Sequence, residues 1–400
     1  MKILLIGFNI QESVYPLGLA YLYSYAKKYH KDVDITIKEF TFGKRMSYDT
    51  NAQIELQVLN YVLTEKPDLV CFGTYIWNSQ LIRNLSKALK KVSDIPVAIG
   101  GAEVDESFKG CCDFLLMGEG EIKFKELIDQ MKEKKQHKKE GPLKNLDEIP
   151  FPYKEYLPKN KTFASVRVET SRGCPYGCSF CHYAKKPYKE FSIEYLKENI
   201  AFLIENYDFK NLTIIDANFN LKKERMRSIL NIISDCAKSY NKKFRLNFEL
   251  KPELVDKDVI NIIKESKINV FCELGLQSVS EKVLKACNRP YEIEKIKKGL
   301  ELLNKNNIKY KIDMMYGLPK DNFFSFLRTI NFIMKYSRQK DIPAHHLMVL
   351  NNTDFSRDKS MVRYLEDSSS MVIKTDTQDI TDFYKQKLFL DMINSKMRKK

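Results

Sequence analysis

Short runs of β-branched and apolar residues alternate with segments of helical period along most of the chain. This alternation is typical of βαβ units, in which crossover helices join parallel strands. The pattern fails once, over about residues 132–160, where a charge run is followed by Gly141 and by four prolines. Proline and glycine at this density interrupt both periods. The sequence therefore predicts two α/β domains joined by a linker.

The predicted limits are residues 1–135 for the first domain, 136–160 for the linker, 161–350 for the second domain and 351–400 for a C-terminal extension. Five strands in the first domain predict a doubly wound, Rossmann-like sheet. Six strand-helix repeats in the second predict a partial (β/α)6 barrel of the TIM type. The strands of this barrel are expected at residues 163–169, 212–216, 244–248, 270–275, 310–316 and 346–349.

Length and composition exclude several classes of protein. With 400 residues and an apolar fraction of 44%, the chain is neither a disulfide-stapled miniprotein nor a mostly disordered one. No apolar run approaches the ~20 residues of a membrane helix, and the first residues lack the pattern of a secretory signal. We therefore expect a cytoplasmic protein without a membrane partner, whose nine cysteines are reduced or bind metal.

Lysine and arginine exceed aspartate and glutamate by 67 to 52, which gives a net charge of +15. Such an excess raises the question of a nucleic-acid partner. The lysines are spread along predicted helices, and the dense run at residues 132–139 falls in the linker. Because no motif for binding RNA or DNA accompanies the charge, we do not expect nucleic acid as a partner.

Three cysteines follow the first predicted barrel strand with the spacing C-x3-C-x2-C: Cys174, Cys178 and Cys181. Iron–sulfur clusters are bound by cysteine thiolates, and three of them on one loop can hold three corners of a cubane. The fourth iron would remain open for chemistry. Gly173 and Gly177 allow a tight loop, because glycine takes a positive φ without steric cost.

The sequence supports two other roles for these cysteines less well. Structural zinc normally takes four protein ligands, and the nearest fourth, His182, directly follows Cys181 and is poorly placed. A redox dithiol would need only Cys178 and Cys181. The remaining cysteines lie on or beside predicted strands and helices, where small buried residues are ordinary. They are Cys71, Cys111, Cys112, Cys236, Cys272 and Cys287.

Residues 171–182, SRGCPYGCSFCH, resemble the cluster loop of the radical S-adenosylmethionine (SAM) superfamily. The resemblance implies a [4Fe–4S] cluster on Cys174, Cys178 and Cys181 whose open iron binds SAM. Phe180 occupies the aromatic position expected near the adenine. In that superfamily the reduced cluster cleaves SAM to a 5′-deoxyadenosyl radical, with electrons from a donor such as a flavodoxin or ferredoxin.

Three further segments of the barrel resemble the superfamily in register. Residues 216–219, DANF, end the second strand where the family holds the methionine moiety, although the usual Gly-Gly-Glu is absent. Asp216 could equally cap the next helix. Residues 272–278, CELGLQS, resemble the fourth-strand motif, and residues 317–319, GLP, resemble the fifth-strand element, followed here by Lys-Asp instead of Gly-Glu. The expected SAM contacts are Phe180, Asp216, Glu273, Gln277, Ser278 and Gly317.

The first domain resembles the cobalamin-binding domain of one subclass of this superfamily. The match rests on residues 15–19 (YPLGL), 100–103 (GGAE) and 118–121 (GEGE). These segments fall at the carboxyl ends of predicted strands, where open parallel sheets bind ligands. A glycine-lined crevice suits a large flat cofactor. The expected cobalamin contacts are Tyr15, Pro16, Gly18, Thr74, Tyr75, Gly100, Gly101, Glu103, Gly118, Glu119 and Gly120.

No histidine lies in the D-x-H-x-x-G motif that places one beneath cobalt in many cobalamin proteins. We therefore expect a lower face of cobalt that is open or holds a weak ligand. A flavodoxin-like domain with turn glycines and no ligand is the alternative. A nicotinamide site would need G-x-G-x-x-G after the first strand, which this sequence lacks.

Together the resemblances imply a cobalamin-dependent radical SAM enzyme that methylates an unactivated carbon of a small molecule or peptide. Radical cyclisation or rearrangement without methyl transfer is an alternative. A tRNA-modifying enzyme is another, although residues 351–400 are too few and too unpatterned for an RNA-binding module. A non-catalytic cobalamin protein is least favoured, because a degenerate barrel should have lost a cluster cysteine.

Overall fold

The computed structural model describes residues 1–9, 15–41, 48–133, 141–156, 162–184, 186–289, 291–366 and 369–398, without the side chains of residues 48–51. The chain divides into two compact units, Met1–Ala164 and Ser165–Lys400. The domain limits given above remain predictions. Within the described part of the chain, no helix has the length and apolar character needed to cross a membrane.

The first unit is an α/β sheet covered by helices. Its strands are β1 (Lys2–Asn9), β2 (Asp34–Thr41), β3 (Leu69–Thr74), β4 (Val97–Gly101) and β5 (Phe114–Leu116). Its helices are α1 (Leu17–Tyr29), α2 (Tyr48–Glu65), α3 (Ser79–Val92), α4 (Gly120–Glu133) and α5 (Pro152–Glu155), with short 3-10 turns at Glu106–Phe108 and Leu146–Glu148. The strand order is β2-β1-β3-β4-β5, and all neighbours are parallel. This confirms the doubly wound fold, and the order reverses between β1 and β3, where such sheets bind ligands.

Helices on both faces explain why the strands of this sheet read as continuous apolar runs. Residues 3–6 of β1 are fully buried. Residues 141–156, which fall in the predicted linker, also pack into this unit. Leu146, Ile149 and Tyr153 are fully buried there, so this segment is part of the first unit's core.

The second unit contains a six-stranded sheet. The strands from here to the end of the chain are β6 (Thr162–Val168), which crosses the boundary between the units, β7 (Ser171–Arg172), β8 (Lys189–Glu190), β9 (Asp208–Ile214), β10 (Arg245–Leu250), β11 (Asn269–Gln277), β12 (Lys309–Tyr316), β13 (Ala344–His346), β14 (Val362–Tyr364) and β15 (Val372–Thr375). The antiparallel pairs β7–β8 and β14–β15 are separate from the six-stranded sheet. Its helices are α6 (Ile193–Asn206), α7 (Lys223–Ser239), α8 (Lys257–Ser266), α9 (Glu281–Ala286), α10 (Ile293–Lys305), α11 (Phe323–Tyr336), α12 (Asp354–Arg357) and α13 (Ile380–Arg398), with a 3-10 turn at Pro252–Leu254. The sheet order is β6-β9-β10-β11-β12-β13, parallel from β9 to β13. This confirms the partial barrel.

The strands of the half-barrel have two unlike faces. Along β11 every second residue is buried and the residues between are more open. Successive side chains of a strand point to opposite faces, so the buried set packs against the covering helices and the other set forms the inner wall. The inner-wall residues of β11 are Phe271, Glu273, Gly275 and Gln277.

The last barrel strand differs from its prediction. β13 ends at His346, whereas residues 346–349 were expected to form it. The reason is a change of partner, because Val349 donates to Ser370 O and Leu347 O accepts from Val372. Residues beyond 350 thus complete the second unit, and α13 packs its Phe383 ring 5.2 Å from the His346 ring.

Candidate active site

The cluster loop follows β7 and depends on one glycine. Gly173 has a φ of 81°, and a Cβ built there would lie 2.2 Å from the Pro187 carbonyl oxygen. Any side chain would therefore displace backbone. A positive φ was also expected at Gly177, which does not have one. The tight entry to the loop thus rests on Gly173 alone.

The three thiols lie on a short turn. Cys174 and Cys178 are buried and Cys181 is half-buried. The Cys181 amide donates to Cys178 O at 3.0 Å, and the Ser179 amide donates to Cys287 O at 2.9 Å. Burial raises the pKa of Cys174 and of Cys181, so the thiolates needed for metal binding require compensating positive charge.

The donor set of the loop is three cysteine sulfurs, which are the ligands of iron–sulfur cubanes. The described residues bring no three His, Cys, Asp or Glu side chains together around a single ion. In a four-iron cluster each cysteine binds a different iron, so the sulfurs lie farther apart than the ligands of one ion.

Two side chains donate hydrogen bonds to the cysteine sulfurs. Asn218 Nδ2 lies 3.2 Å from Cys174 Sγ, and Arg289 Nη1 lies 3.6 Å from Cys178 Sγ. Donors to the sulfur stabilise the thiolate and orient it. Asn218 stands in the DANF segment, but the sequence offered no sign of the Arg289 contact.

Asp216 has a structural role that the sequence did not indicate. Its carboxylate accepts from the amides of Thr170, at 2.7 Å, and Ser171, at 3.1 Å, and from both hydroxyls. It thereby ties the end of β6 to the end of β9. The helix-cap alternative is wrong, because the N-cap of α7 is Lys222. The proposed SAM contact remains a prediction, although four donors already occupy this carboxylate.

An ionic row crosses the inner wall of the half-barrel. Glu249, Glu273 and Lys311 are in register on β10, β11 and β12. Lys311 Nζ lies 3.1 Å from Glu273 and 3.7 Å from Asp313. Glu249 is open to the barrel interior, yet loss of hydration, with Glu273 and Asp313 nearby, raises its pKa to about 7.

The other expected SAM contacts are distributed as follows. Glu273 and Gln277 lie on the inner wall, and Gln277 has a positive φ of 70° at the end of β11. Ser278 is buried beside Thr329, 3.5 Å between hydroxyls, so it holds the loop after β11. Gly317, with a φ of 79°, follows β12, and Phe180 is half-buried on the cluster loop.

The cobalamin residues lie at the carboxyl edge of the first unit's sheet. Thr74 is fully buried and donates to Gly100 O at 2.8 Å. A Cβ on Gly101, whose φ is 107°, would lie 2.5 Å from Thr74 O, so this glycine serves the contact between β3 and β4. Tyr75 stacks on Trp77 at 4.6 Å with an interplanar angle of 1°.

The remaining members of that set frame the same edge. A Cβ on Gly18, in the first turn of α1, would lie 3.0 Å from the Tyr75 hydroxyl. Tyr15 is buried against Tyr153, with ring centroids 4.8 Å apart, so its ring is committed to the core. The others are Pro16 before α1, the buried Glu103 after β4, and Gly118, Glu119 and Gly120 at the start of α4. Small residues and backbone groups make up most of this edge. Such an edge suits a large cofactor that the protein contacts around the rim of its ring.

No described histidine of the first unit lies at this edge. Helix α1 begins at the carboxyl edge and ends at the opposite one, where His30 pairs with Asp129 at 3.1 Å. His137 lies outside the described residues. An axial histidine is thus missing from the described part of this edge.

Two family models match the chain. The model described as Radical SAM superfamily matches residues 168–333, and the one described as B12 binding domain matches residues 3–128. An uncharacterized methyltransferase of Pyrococcus horikoshii is 28% identical over 245 residues, which cover 52% of this chain and 50% of that protein. The cobalamin-dependent radical SAM methyltransferase TokK of Streptomyces tokunonensis is 23% identical over 339 residues, covering 75% and 49%. The chain thus spans about half the length of these relatives.

Solved structures share the fold. The cobalamin-dependent SAM radical enzyme OxsB gives a TM-score of 0.71 at 14% identity, covering 98% of this chain and 66% of OxsB. The radical SAM methyltransferase TsrM of Kitasatospora setae gives 0.67 at 13% identity, covering 88% and 75%. Identities this low establish likeness of fold alone. The fold, the cysteine loop and the two family matches agree: the chain carries a B12-binding domain over residues 3–128, followed by a radical SAM domain over residues 168–333.

Proposed function

We propose that the chain is a cobalamin-dependent radical SAM methyltransferase that methylates an unactivated carbon. The observation that carries the proposal is the cluster loop, where Cys174 and Cys178 each receive a side-chain hydrogen bond on sulfur. The B12-binding domain supports a second cofactor. Two relatives are named methyltransferases, which favours methyl transfer over cyclisation, rearrangement or tRNA modification.

When bound, the reduced cluster supplies the electron that cleaves SAM, and cobalamin supplies the methyl group. The chain's own residues hold and orient these groups. Cys174, Cys178 and Cys181 hold three irons and leave the fourth for SAM. The inner wall and the loops at its carboxyl end then contact SAM. Those contacts are Phe180, Asp216, Glu273, Gln277, Ser278 and Gly317.

The carboxyl edge of the first unit's sheet holds cobalamin in this proposal. Its glycines let backbone approach the flat ring, and Thr74 and Glu103 are buried among them. The substrate is a small molecule or peptide, and a flavodoxin or ferredoxin is the electron donor. A cytoplasmic location is part of the proposal, because a reducing compartment keeps the cluster thiols free.

Product analysis of the full chain tests the proposal. The chain is reconstituted anaerobically with iron, sulfide and cobalamin, then given a strong reductant and SAM with a deuterated methyl group. We expect about four irons per chain, as for a cubane, and two products from SAM. One product is 5′-deoxyadenosine. The other is S-adenosylhomocysteine, formed in the same amount as deuterated methylcobalamin.

Variants separate the two activities. Cys174→Ala should lose the iron and the 5′-deoxyadenosine while the chain still binds cobalamin. Cys236→Ala, on the half-buried face of α7, is the matched control and should keep both. A chain that forms 5′-deoxyadenosine but no S-adenosylhomocysteine would not be a methyltransferase. An intact, reducible cluster that yields neither product would overturn the enzyme assignment.

A further inference from the structure

A buried ion pair lies beside the cluster loop and outside the residues assigned so far. Lys251 and Glu253 follow β10, and each side chain is 8% exposed, with Nζ 3.0 Å from Oε1. Glu253 Oε2 is shielded and has no hydrogen-bond partner among the described residues. Burying two charges costs free energy that their attraction often fails to recover. Stability alone therefore gives little reason for this pair.

The lysine of this pair contacts the middle of the cluster loop. Lys251 Nζ lies 4.4 Å from the ring centroid of Tyr176, which stands midway between Cys174 and Cys178. Asn220 fixes the backbone of Lys251, since Oδ1 accepts from the Lys251 amide at 2.9 Å and Nδ2 donates to its carbonyl at 3.1 Å. The backbone of Lys251 is thus fixed, and its ammonium lies between Glu253 and an aromatic ring of the cluster loop.

The two charges lie close together and act in opposite directions. Lys251 Nζ lies over the ring of Tyr176, between two cluster ligands, so its positive charge is close to the cluster. Glu253 offsets part of that charge through the ion pair. Burial keeps solvent from screening either charge.

We propose that Lys251 and Glu253 are positioning residues that set the reduction potential of the cluster, the lysine raising it and the glutamate holding that rise in check. The inference rests on the cluster assigned under the proposed function. One electron taken up by the cluster adds one negative charge to it. Nearby charge and hydrogen bonds to sulfur are known to tune such potentials, and a fixed cation stabilises the reduced state.

Opposite shifts in two variants distinguish this role from a structural one. Titration of the reconstituted full chain with dithionite, without SAM and followed by electron paramagnetic resonance (EPR), gives the midpoint of the one-electron couple. Lys251→Met should move the midpoint to more negative values, and Glu253→Gln should move it to more positive values. Each shift should be at least about 59 mV, which is a tenfold change in the ratio of reduced to oxidised cluster. The double variant should return close to the parent.

Controls keep the result decisive. Lys295→Met removes an exposed lysine of α10 that pairs with Glu292, and it should leave the midpoint unchanged because solvent screens that charge. If Lys251→Met takes up no iron, Glu253→Gln, which keeps the side-chain shape, decides alone. Shifts of the same sign, or no shift in either variant, would overturn the inference. A parent chain with no cluster signal would instead refute the proposed function.

Discussion

Arg289 and Cys178 are in contact, with Nη1 3.6 Å from Sγ. The other terminal nitrogen of Arg289 donates to the carbonyl of Gly275 on β11. One side chain therefore joins the inner wall of the half-barrel to the cluster loop. Its partners Cys178 and Gly275 are 111 and 14 positions away from Arg289 along the chain, so both contacts together exist only in the folded barrel.

Replacing Arg289 with Met should make the protein bind the cluster less tightly. The change removes a donor to a thiolate and a donor to the Gly275 carbonyl, and the loss of a hydrogen bond to a charged group costs about 1.5–3 kcal/mol. Release of iron to a chelator should become several-fold faster, and the thermal midpoint should fall. Arg227→Met, which removes a partly exposed arginine of α7 paired with Glu265 at the surface, should change neither. Equal release rates in parent and Arg289→Met would show that the contact does not hold the cluster.

Gly173→Ala should prevent formation of the cluster loop. Its Cβ would lie 2.2 Å from Pro187 O, and a left-handed conformation costs a non-glycine residue about 1–2 kcal/mol. Iron after reconstitution should drop below half of the parent's, while circular dichroism stays that of a folded α/β chain. Gly141→Ala is the control, since nothing lies within 4 Å of its Cβ. Normal iron content in Gly173→Ala would contradict the steric argument.

Glu249 should make stability depend on pH. Its pKa rises from 4.5 to about 7 on folding, because its carboxylate loses hydration inside the barrel and because Glu273 and Asp313 carry like charge nearby. The folded chain therefore holds this proton more tightly, and the resulting stability is complete below pH 4.5 and lost as pH rises through 7. The thermal midpoint of Glu249→Gln should therefore rise relative to that of the parent between pH 5 and about 7, and the difference should level off above pH 7. A difference in midpoint that stays constant over this range would rule out the raised pKa.

Cobalamin bound to the chain should lack an axial nitrogen from the described residues. His30 is paired with Asp129 at the far edge of the sheet. EPR of the cobalt(II) form should therefore show no superhyperfine splitting from nitrogen. Quenching of Trp77, which is the only tryptophan of the chain and stacks on Tyr75, should report binding in the same samples.

His137, outside the described residues, provides the control for that experiment. His137→Ala should give the same spectrum as the parent. Nitrogen splitting that vanishes in this variant would identify His137 as the lower ligand and refute the expectation. A purified chain that neither quenches nor retains cobalamin would leave the first domain without its proposed cofactor.

The periodic elements could be predicted closely, because burial on one or two faces dictates their pattern. The bounds predicted for β3 and α6, residues 69–74 and 193–206, agree with the structure to the residue. Helix α13 was not predicted, since apolar residues such as Ile380 and Leu388 are exposed while Gln386 is buried. Such a mixed surface blurs the helical period. β13 was misplaced because residues beyond it pair with a later hairpin.

The site was predictable only where local spacing carries the chemistry. The three cysteines stand within eight residues of one another, so their spacing alone marked the loop. Asp216 binds Thr170 and Ser171 across 46 and 45 positions, and this needs knowledge that β6 and β9 are neighbours. Arg289 and the Lys251–Glu253 pair were missed for the same reason. Their contacts depend on strand order, which local sequence does not display.

The hydrogen bonds between the cluster loop and the segment after α9 have a consequence for the timing of cluster insertion. The Asn288 side chain donates to Gly177 O across 111 positions, and Cys287 O accepts from Ser179. At about 5–20 residues per second of synthesis, the cysteines leave the ribosome roughly 6–20 s before the residues that hold their loop. Iron and sulfide delivered in that interval would meet thiols without a formed site. We therefore expect the cluster to be inserted after residue 289 has been translated, when β11, the fourth strand of the half-barrel, is already in place.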